Sequence, residues 1–316
     1  MRAGLAAAAV AVAAMRLARV PLAGTFRFAG LAGESEKAPI RTPMAAFTGP
    51  SFTGAGFGAR RYLQVRPPVD FAVSTGPSAL RVVNAQAGSA FVEITIRGEA
   101  AYQGRGRAKG HLGPIESAGR LIRTIRTWAD GYESRSVYET GLGRIRPSVT
   151  VGSVQAGWPF APFWSPATCR IFVSVRTNPD RSTESAVAEL DAAVRAFAAN
   201  APSLHLDVVT YHAVESALTP GDSPLVQVAT GAVSALTGAR AERFPDGAAD
   251  GTNDTNVFRA AGIPAIQLGP GERRARGTGS NQPTALVPVS DIRMAAEIYT
   301  HLAISLCGLA ESSSRG

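Results

Sequence analysis

The order of helix-like and strand-like segments in the middle of the chain constrains the fold most. Six patterned segments follow one another there: a strand at 90–96, a helix at 114–129, strands at 148–154 and 170–176, a helix at 182–199 and a strand at 204–211. Apolar residues recur every three or four positions in the helical segments and largely alternate with polar residues in the first strand. The order β-α-β-β-α-β predicts one layer of strands covered by two helices.

Alternating helix and strand patterns flank this central block. Before it, 1–15 predicts a helix, 24–31 a buried strand and 69–74 a second strand. After it, the sequence predicts helices near 223–236 and 290–307, a helix start at Asp254 and a strand at 265–268.

These patterns predict a two-domain α/β protein. We expect an inserted α+β sandwich at 87–212, placed between two parts of one α/β domain at 1–86 and 213–316. A chain of 316 residues is long enough to bury the cores of two such domains.

The N-terminal segment 1–15 allows two interpretations. Its positive start and short apolar stretch are typical of a secretory leader and are too short for a membrane span. Arg16 and Arg19 follow directly, and the strand-like segment 24–31 comes next, which favours a helix of an α/β fold. We prefer the helix, and we predict a cytoplasmic protein that does not bind membranes.

The charge distribution argues against a nucleic-acid partner. The formal net charge is +8, from 32 basic and 24 acidic residues, and only Lys37 and Lys109 are lysines. The arginines are spread along the chain without a nucleic-acid-binding motif around them. Cys169 and Cys307 are too far apart in sequence for a CxxC metal or redox motif.

Two segments contain candidate functional residues. Glu34 follows the predicted strand at 24–31, and α/β folds place catalytic groups at the carboxyl ends of strands. The alternative is an ordinary solvated loop carboxylate. Thr252 and Asn253 precede the helix start at Asp254, where backbone amides can hold a substrate carboxylate. The alternative there is an ordinary helix cap.

Six segments resemble, in chain order, the motifs of one enzyme family. The first three resemble a helix start Asp-Met-Lys-Gly-Gly-Leu-Ala, a strand leading into a Glu-Glu pair, and a Gly-Glu-Pro-Ser turn: 1–7, 24–35 and 73–78. The last three resemble the first strand of an inserted lid domain, an Asp-x-Arg strand and a Gly-Thr-Ser-Asp turn: 92–102, 173–176 and 251–254. The chain therefore resembles the zinc-dependent amidohydrolase and exopeptidase family of aminoacylase, acetylornithine deacetylase, succinyl-diaminopimelate desuccinylase and carboxypeptidase G.

The resemblance implies a fold, an activity and a set of site residues. It implies a catalytic domain with two zinc ions, a lid domain through which subunits form a homodimer, and hydrolysis of an N-acyl amino acid or a short peptide. Glu34 stands at the position of the general base. By the same resemblance, Arg176, Thr252 and Asn253 contact the substrate carboxylate. Tyr102 replaces a histidine that reaches the site of the neighbouring subunit.

The sequence departs from the family motifs at the expected metal ligands. Ser35 and Gly76 stand where the family has glutamates, and Thr278 stands where it has its last histidine. The chain begins inside the first motif, so we expect the first part of the catalytic domain to be incomplete. Hydroxyl groups and glycine cannot replace carboxylate and imidazole around Zn²⁺, so we assign no metal ligand and expect no zinc binding by this chain as written.

Two hypotheses of function remain open from the sequence. In the first, the protein is a divergent amide hydrolase that uses unfamiliar ligands such as Glu36, Asp70 and Asp254, or residues upstream of Met1. In the second, it is a degenerate relative that keeps the fold and the dimerising lid and binds a small carboxylated ligand without catalysis.

Overall fold

The computed structural model describes residues 2–34, 54–66, 68–102, 113–201, 203–238, 243–271 and 286–310. The described residues form seven helices: α1 (Arg2–Leu17), α2 (Phe57–Val65), α3 (Pro114–Arg135), α4 (Thr183–Ala199), α5 (Pro224–Thr237), α6 (Asp254–Ala260) and α7 (Val289–Cys307).

Twelve strands are found in the same part of the chain. They are β1 (Ala72–Ser74), β2 (Ala85–Gln86), β3 (Gly88–Arg97), β4 (Ala101–Tyr102), β5 (Tyr138–Glu139), β6 (Arg144–Ile145), β7 (Val149–Ala156), β8 (Trp164–Ser165), β9 (Thr168–Thr177), β10 (His205–Val214), β11 (Ala217–Leu218) and β12 (Ala265–Gln267). The two-domain α/β fold class predicted from the sequence is confirmed.

The central block forms a four-stranded antiparallel sheet in the order β10-β3-β9-β7. Helices α3 and α4 cover one face of this sheet, which we call the lid sheet. Its core consists of alternate strand residues such as Ile94 and Ile171, packed against Leu121, Ile125 and Leu190 of the helices. The predicted β-α-β-β-α-β order is present, because strand alternation and helical periodicity both direct their apolar residues to this one interface.

The flanking segments pack as α/β layers. β1 and β12 form a parallel pair, and α1, α5 and α7 pack together in a core that includes Leu225, Ile266 and Ile298. The helix predicted at the N-terminus is α1, whose buried Gly4, Ala7 and Ala11 allow the helix to approach its neighbours closely. None of the helices in the described ranges is long and apolar enough to cross a membrane.

The strand predicted at 24–31 is not present. Those residues belong to no strand and are mostly exposed, and the nearest β-bridge joins Leu22 to Leu309. Just beyond them, the carbonyls of Ala32 and Gly33 accept hydrogen bonds from backbone amides at the start of α2. The apolar residues that suggested a strand have no neighbouring strand to pair with in the described structure, and a strand needs such a ladder.

Candidate functional site

The candidate site lies at the carboxyl ends of β1 and β12. Ser74 pairs with Gln267 at the last position of both strands, and the chain continues into Thr75 and Gly76 on one side and Gly269 on the other. A Cβ atom on Gly269 would lie 2.4 Å from the Thr75 carbonyl oxygen, so only glycine allows these two loops to touch. Carboxyl ends of parallel strands are where α/β proteins bind ligands.

The start of α2 holds the backbone directly before Glu34. The Gly33 carbonyl accepts hydrogen bonds from the Gly56 amide at 3.0 Å and the Phe57 amide at 3.3 Å. The Ala32 carbonyl accepts one from Gly58 at 2.9 Å. These bonds fix the backbone immediately before Glu34, although no strand is present there.

Asp254, the first residue of α6, is the charged neighbour of Glu34. Burial, and then the Glu34 carboxylate, raise the pKa of Asp254 to about 7, while Arg60 acts in the opposite direction. Asp254 Oδ1 is buried and has no hydrogen-bond partner among the described residues. A Cβ atom on Gly56 would lie 3.5 Å from this oxygen and 3.8 Å from Arg60 Nη1. The Asp254 carboxyl and the Arg60 guanidinium therefore both lie close to Gly56, and the Glu34 carboxylate is near enough to act on Asp254 electrostatically. An acid, a base and a cation in one place are suited to proton transfer.

Apolar packing holds these groups in place. Phe258 of α6 and Ala59 of α2 are buried in one cluster, against which Leu31 and Tyr62 pack. The Tyr62 and Phe258 rings lie 6.2 Å apart. The segment before Glu34, the helix that carries Arg60 and the helix that begins at Asp254 thus share one small core.

Asn253 caps α6, as the plainer interpretation of the sequence proposed. Its Oδ1 accepts hydrogen bonds from the Thr255 amide at 2.8 Å and hydroxyl at 2.6 Å, and the Asn256 side chain completes a capping box. Its Nδ2 donates to Gln267 Oε1 at 2.5 Å. The neighbouring Thr252 is buried, with 8% of its surface exposed. Contact of Asn253 and Thr252 with a substrate carboxylate stays a prediction.

A carboxamide cluster of the buried Gln86 and Gln267 and the half-buried Asn253 lies beside Gly76. Gln267 Nε2 donates to the Pro77 carbonyl at 2.8 Å, and Gln86 Nε2 donates to Gln267 Oε1 at 3.0 Å. In the opposite orientation of the Gln86 amide, its nitrogen faces the Gly251 carbonyl at 2.7 Å and its oxygen faces Asn253 Nδ2 at 3.0 Å. Sequence reasoning missed Gln86 and Gln267, since an isolated glutamine on a short strand has no motif around it.

Arg176 and Tyr102 lie towards opposite ends of the lid sheet. Arg176 on β9 pairs with Ser89, close to the chain segment that leads from Gln86 into the lid, and its carbonyl accepts a hydrogen bond from the Tyr132 hydroxyl at 2.8 Å. Tyr102 follows the other end of β3, where Arg97 lies about 26 Å from Ser89 at the usual rise of a strand. It is 48% exposed and packs against the Trp164 ring at 5.4 Å. Within one chain the structure does not bring these two residues together.

The described residues do not fit a two-zinc centre. Among them, no three His, Cys, Asp or Glu side chains are grouped so that they could hold a metal ion. Asp70 precedes β1, at the opposite end of that strand from Gly76, and burial and Asp70 together raise the pKa of the nearby Cys307 thiol. Asp70 therefore lies at the other end of β1 from Gly76. Ser35, Glu36 and Thr278 lie outside the described residues.

Comparison with known proteins assigns the family. The sequence model of peptidase family M20/M25/M40 matches residues 1–305. The chain belongs to this family. The resemblance drawn from the sequence motifs is thereby confirmed, and the family is generally metal-dependent.

Several solved structures of M20-type enzymes share the fold. An aminopeptidase PepT from Bacillus cereus is 20% identical, with a TM-score of 0.64 over 96% of this chain and 70% of that one. A tripeptidase from Staphylococcus aureus is 15% identical, with a TM-score of 0.54 over 78% and 59%. A hydantoinase/carbamoylase family amidase from Burkholderia ambifaria is 14% identical, with a TM-score of 0.53 over 78% and 55%. The chain thus spans between 55% and 70% of the length of these proteins. The family match and these neighbours support amide-bond hydrolysis as the general chemistry.

Proposed function

We propose that this M20/M25/M40 family member hydrolyses the amide bond of N-acyl amino acids or short peptides, with Glu34 as the general base. The observation that carries the proposal is the electrostatic effect of Glu34 on Asp254, whose neighbour Asn253 contacts Gln267 at the end of β12. A buried carboxyl with a raised pKa beside a second carboxylate is a common arrangement for acid and base roles.

The two carboxyl groups have complementary roles in this proposal. Glu34 removes a proton from a water molecule, whose oxygen forms a bond to the amide carbon. Asp254, with its pKa raised to about 7, carries a proton in a substantial fraction of molecules at neutral pH. It donates this proton to the leaving nitrogen as the C–N bond breaks. Arg60 limits the rise of the Asp254 pKa and keeps the pair active near neutrality. No step is assigned to a metal ion, because the described residues do not fit one.

Recognition of the substrate carboxylate is assigned to Arg176, Thr252 and Asn253. The location of Arg176 near the chain segment that enters the lid supports its role. Tyr102 is at the far end of β3, so we propose that it serves the site of a neighbouring subunit in a homodimer formed through the lid. Light scattering coupled to size-exclusion chromatography tests this assembly, and a monomer at micromolar concentration would contradict it.

Amino-acid release from a panel of N-acyl amino acids and dipeptides tests the hydrolase proposal. We expect Glu34→Gln to lower kcat by at least about 100-fold, the usual contribution of a general base. Glu297→Gln is the matched control, because Glu297 lies on α7 and pairs only with exposed Arg293 among the described residues. Hydrolysis that continues unchanged in Glu34→Gln would remove Glu34 from the mechanism.

A second candidate function is binding of a small carboxylated ligand without hydrolysis. Gly76 stands where the family motif has a glutamate, and the neutral carboxamide of Gln267, held by Asn253, lies where a side chain at this position would begin. This arrangement favours the second function. Calorimetric titration of N-acetyl amino acids against the wild-type protein separates the two: binding without product release supports this second function, and product release supports the first.

A further inference from the structure

Arg259 is the centre of a hydrogen-bond hub on α6. Its Nε donates to Thr219 Oγ1 at 3.1 Å and to the Ala265 carbonyl at 3.0 Å, and its Nη1 donates to the Ala217 carbonyl at 3.1 Å. Its Nη2 donates to the Ala265 carbonyl at 2.8 Å and the Val83 carbonyl at 3.5 Å. One side chain thus binds three separate segments of the backbone.

Two of these segments are the connections between the lid sheet and the rest of the protein. Residues 83–87 lead into β3, and residues 215–219 lead out of β10. The connections run antiparallel to each other through the β2 and β11 pair. Two further hydrogen bonds join them: the Thr219 amide donates to the Asn84 carbonyl, and the Asn84 side-chain amide donates to the Thr219 carbonyl. The third segment is β12, whose end carries Gln267. Arg259 therefore joins both connections to the strand that borders the candidate site.

The opposite end of α6 belongs to the site itself. Asp254 begins the helix beside Glu34, and Asn256 in the first turn donates to the carbonyls of Ala87 at 3.1 Å and Glu215 at 3.0 Å. These two acceptors again lie one on each connection. A helix of seven residues thus contacts the site at one end and both lid connections along its length.

The chemistry of the hub requires arginine. All its hydrogen bonds within the described ranges end on carbonyl or hydroxyl oxygens rather than on a carboxylate. Burial lowers the pKa of Arg259 because it disfavours the charged guanidinium. The hydrogen bonds to these oxygens therefore have to stabilise the positive charge. A planar guanidinium has five N–H donors in a fixed fork, whereas a lysine ammonium is a point charge that cannot serve four acceptors in this layout.

We propose that Arg259 is a positioning residue that clamps both lid connections to α6. The clamp sets the lid end that carries Arg176 at a fixed place relative to Glu34 and Asp254. The clamp itself follows from the contacts of Arg259; only its consequence for substrate rests on the proposed function.

Hydrogen exchange of the substrate-free protein tests the clamp. In Arg259→Met we expect exchange at the Val83, Ala87 and Thr219 amides, all hydrogen-bonded in the connections, to rise about tenfold or more. Amides of the lid strand β9 and of α7 should change by less than about twofold. Arg259→Lys should show the same pattern with a smaller loss of global stability, and it keeps the test decisive if the methionine variant does not fold. Arg293→Met, which removes an exposed arginine paired with Glu297, is the matched control.

Two outcomes of this experiment would overturn the proposal. One is an equal rise of exchange in the connections, β9 and α7, which would make Arg259 a general stability residue. The other is unchanged exchange in the connections. Because no substrate is present, both outcomes are independent of whether the protein is a hydrolase. If it is, Arg259→Lys should raise KM for substrates with a free carboxylate about tenfold while kcat changes less than about threefold.

Discussion

Gly76→Glu restores the carboxylate that the family motif has at this position, and the structure predicts that it lowers stability. A Cβ atom on Gly76 would lie 3.0 Å from Gln267 Cδ, 3.2 Å from Oε1 and 3.3 Å from Cγ. Gln267 cannot move aside freely, because Asn253 and the Pro77 carbonyl hold both ends of its carboxamide. Loss of two or three such bonds costs about 1–4 kcal/mol in the free energy of unfolding, at about 0.5–1.5 kcal/mol each.

Urea denaturation of a double-mutant cycle measures this effect. Gly76→Ala adds the same Cβ without charge and should lose about 1–2 kcal/mol, and Gly76→Glu should lose more. In the double variant Gly76→Glu/Gln267→Ala, the Gln267 carboxamide that crowds position 76 is removed. Its loss in the free energy of unfolding should therefore be smaller than the sum of the two single losses by about 1 kcal/mol. Added Zn²⁺ should stabilise Gly76→Glu no more than the wild type. Additive losses, or a zinc-dependent gain specific to Gly76→Glu, would refute the reasoning.

Two further predictions concern charge and close packing. The pKa of Asp254 rises from 3.8 to about 7 on folding, so its contribution to stability is present below about pH 4 and lost as pH rises through 7. Asp254→Asn, which mimics the protonated form, should therefore raise the free energy of unfolding by roughly 1–3 kcal/mol at pH 8 and change it little at pH 4; an equal effect at both pH values would contradict this. Gly4→Ala should destabilise despite the better helix propensity of alanine, because its Cβ would lie 2.1 Å from the Thr75 carbonyl oxygen. Gly231→Ala on α5, where an added Cβ meets nothing within 4 Å, should instead gain up to about 1 kcal/mol in the free energy of unfolding. Urea denaturation of both variants measures the two effects, and equal changes for both would be inconsistent with the packing.

The lid sheet was predictable because its elements are long and each has one buried face. β3 and β9 extend over ten residues each and α3 over 22, so period-2 and period-3.6 patterns are repeated several times. Pro114 also marked the start of α3 correctly. The segment 24–31 misled because an apolar run predicts burial but contains no information about a partner strand.

The candidate site was predictable only in part. Glu34 and Asp254 stand in recognisable motifs, but their proximity depends on how α2 and α6 pack through Tyr62 and Phe258. The carboxamide cluster and Arg259 are long-range features: Gln86 and Gln267 are 181 positions apart in the chain, and the Arg259–Val83 contact spans 176. No local pattern encodes contacts at such separations, so sequence reasoning had no signal for them.

Asn253 shows why the two interpretations of its segment could not be separated from sequence. A helix cap and a substrate contact both need a short polar side chain directly before the helix, and here the cap uses Oδ1 while Gln267 takes Nδ2. A substrate carboxylate at Asn253 would have to compete with Gln267 Oε1 for that nitrogen. The same nitrogen also links α6 to the strand beside Gly76, so ligand binding there would alter the carboxamide cluster as well as the cap. The structure thus makes the response of Gln267 to added ligand the most direct indication of whether the segment binds a carboxylate.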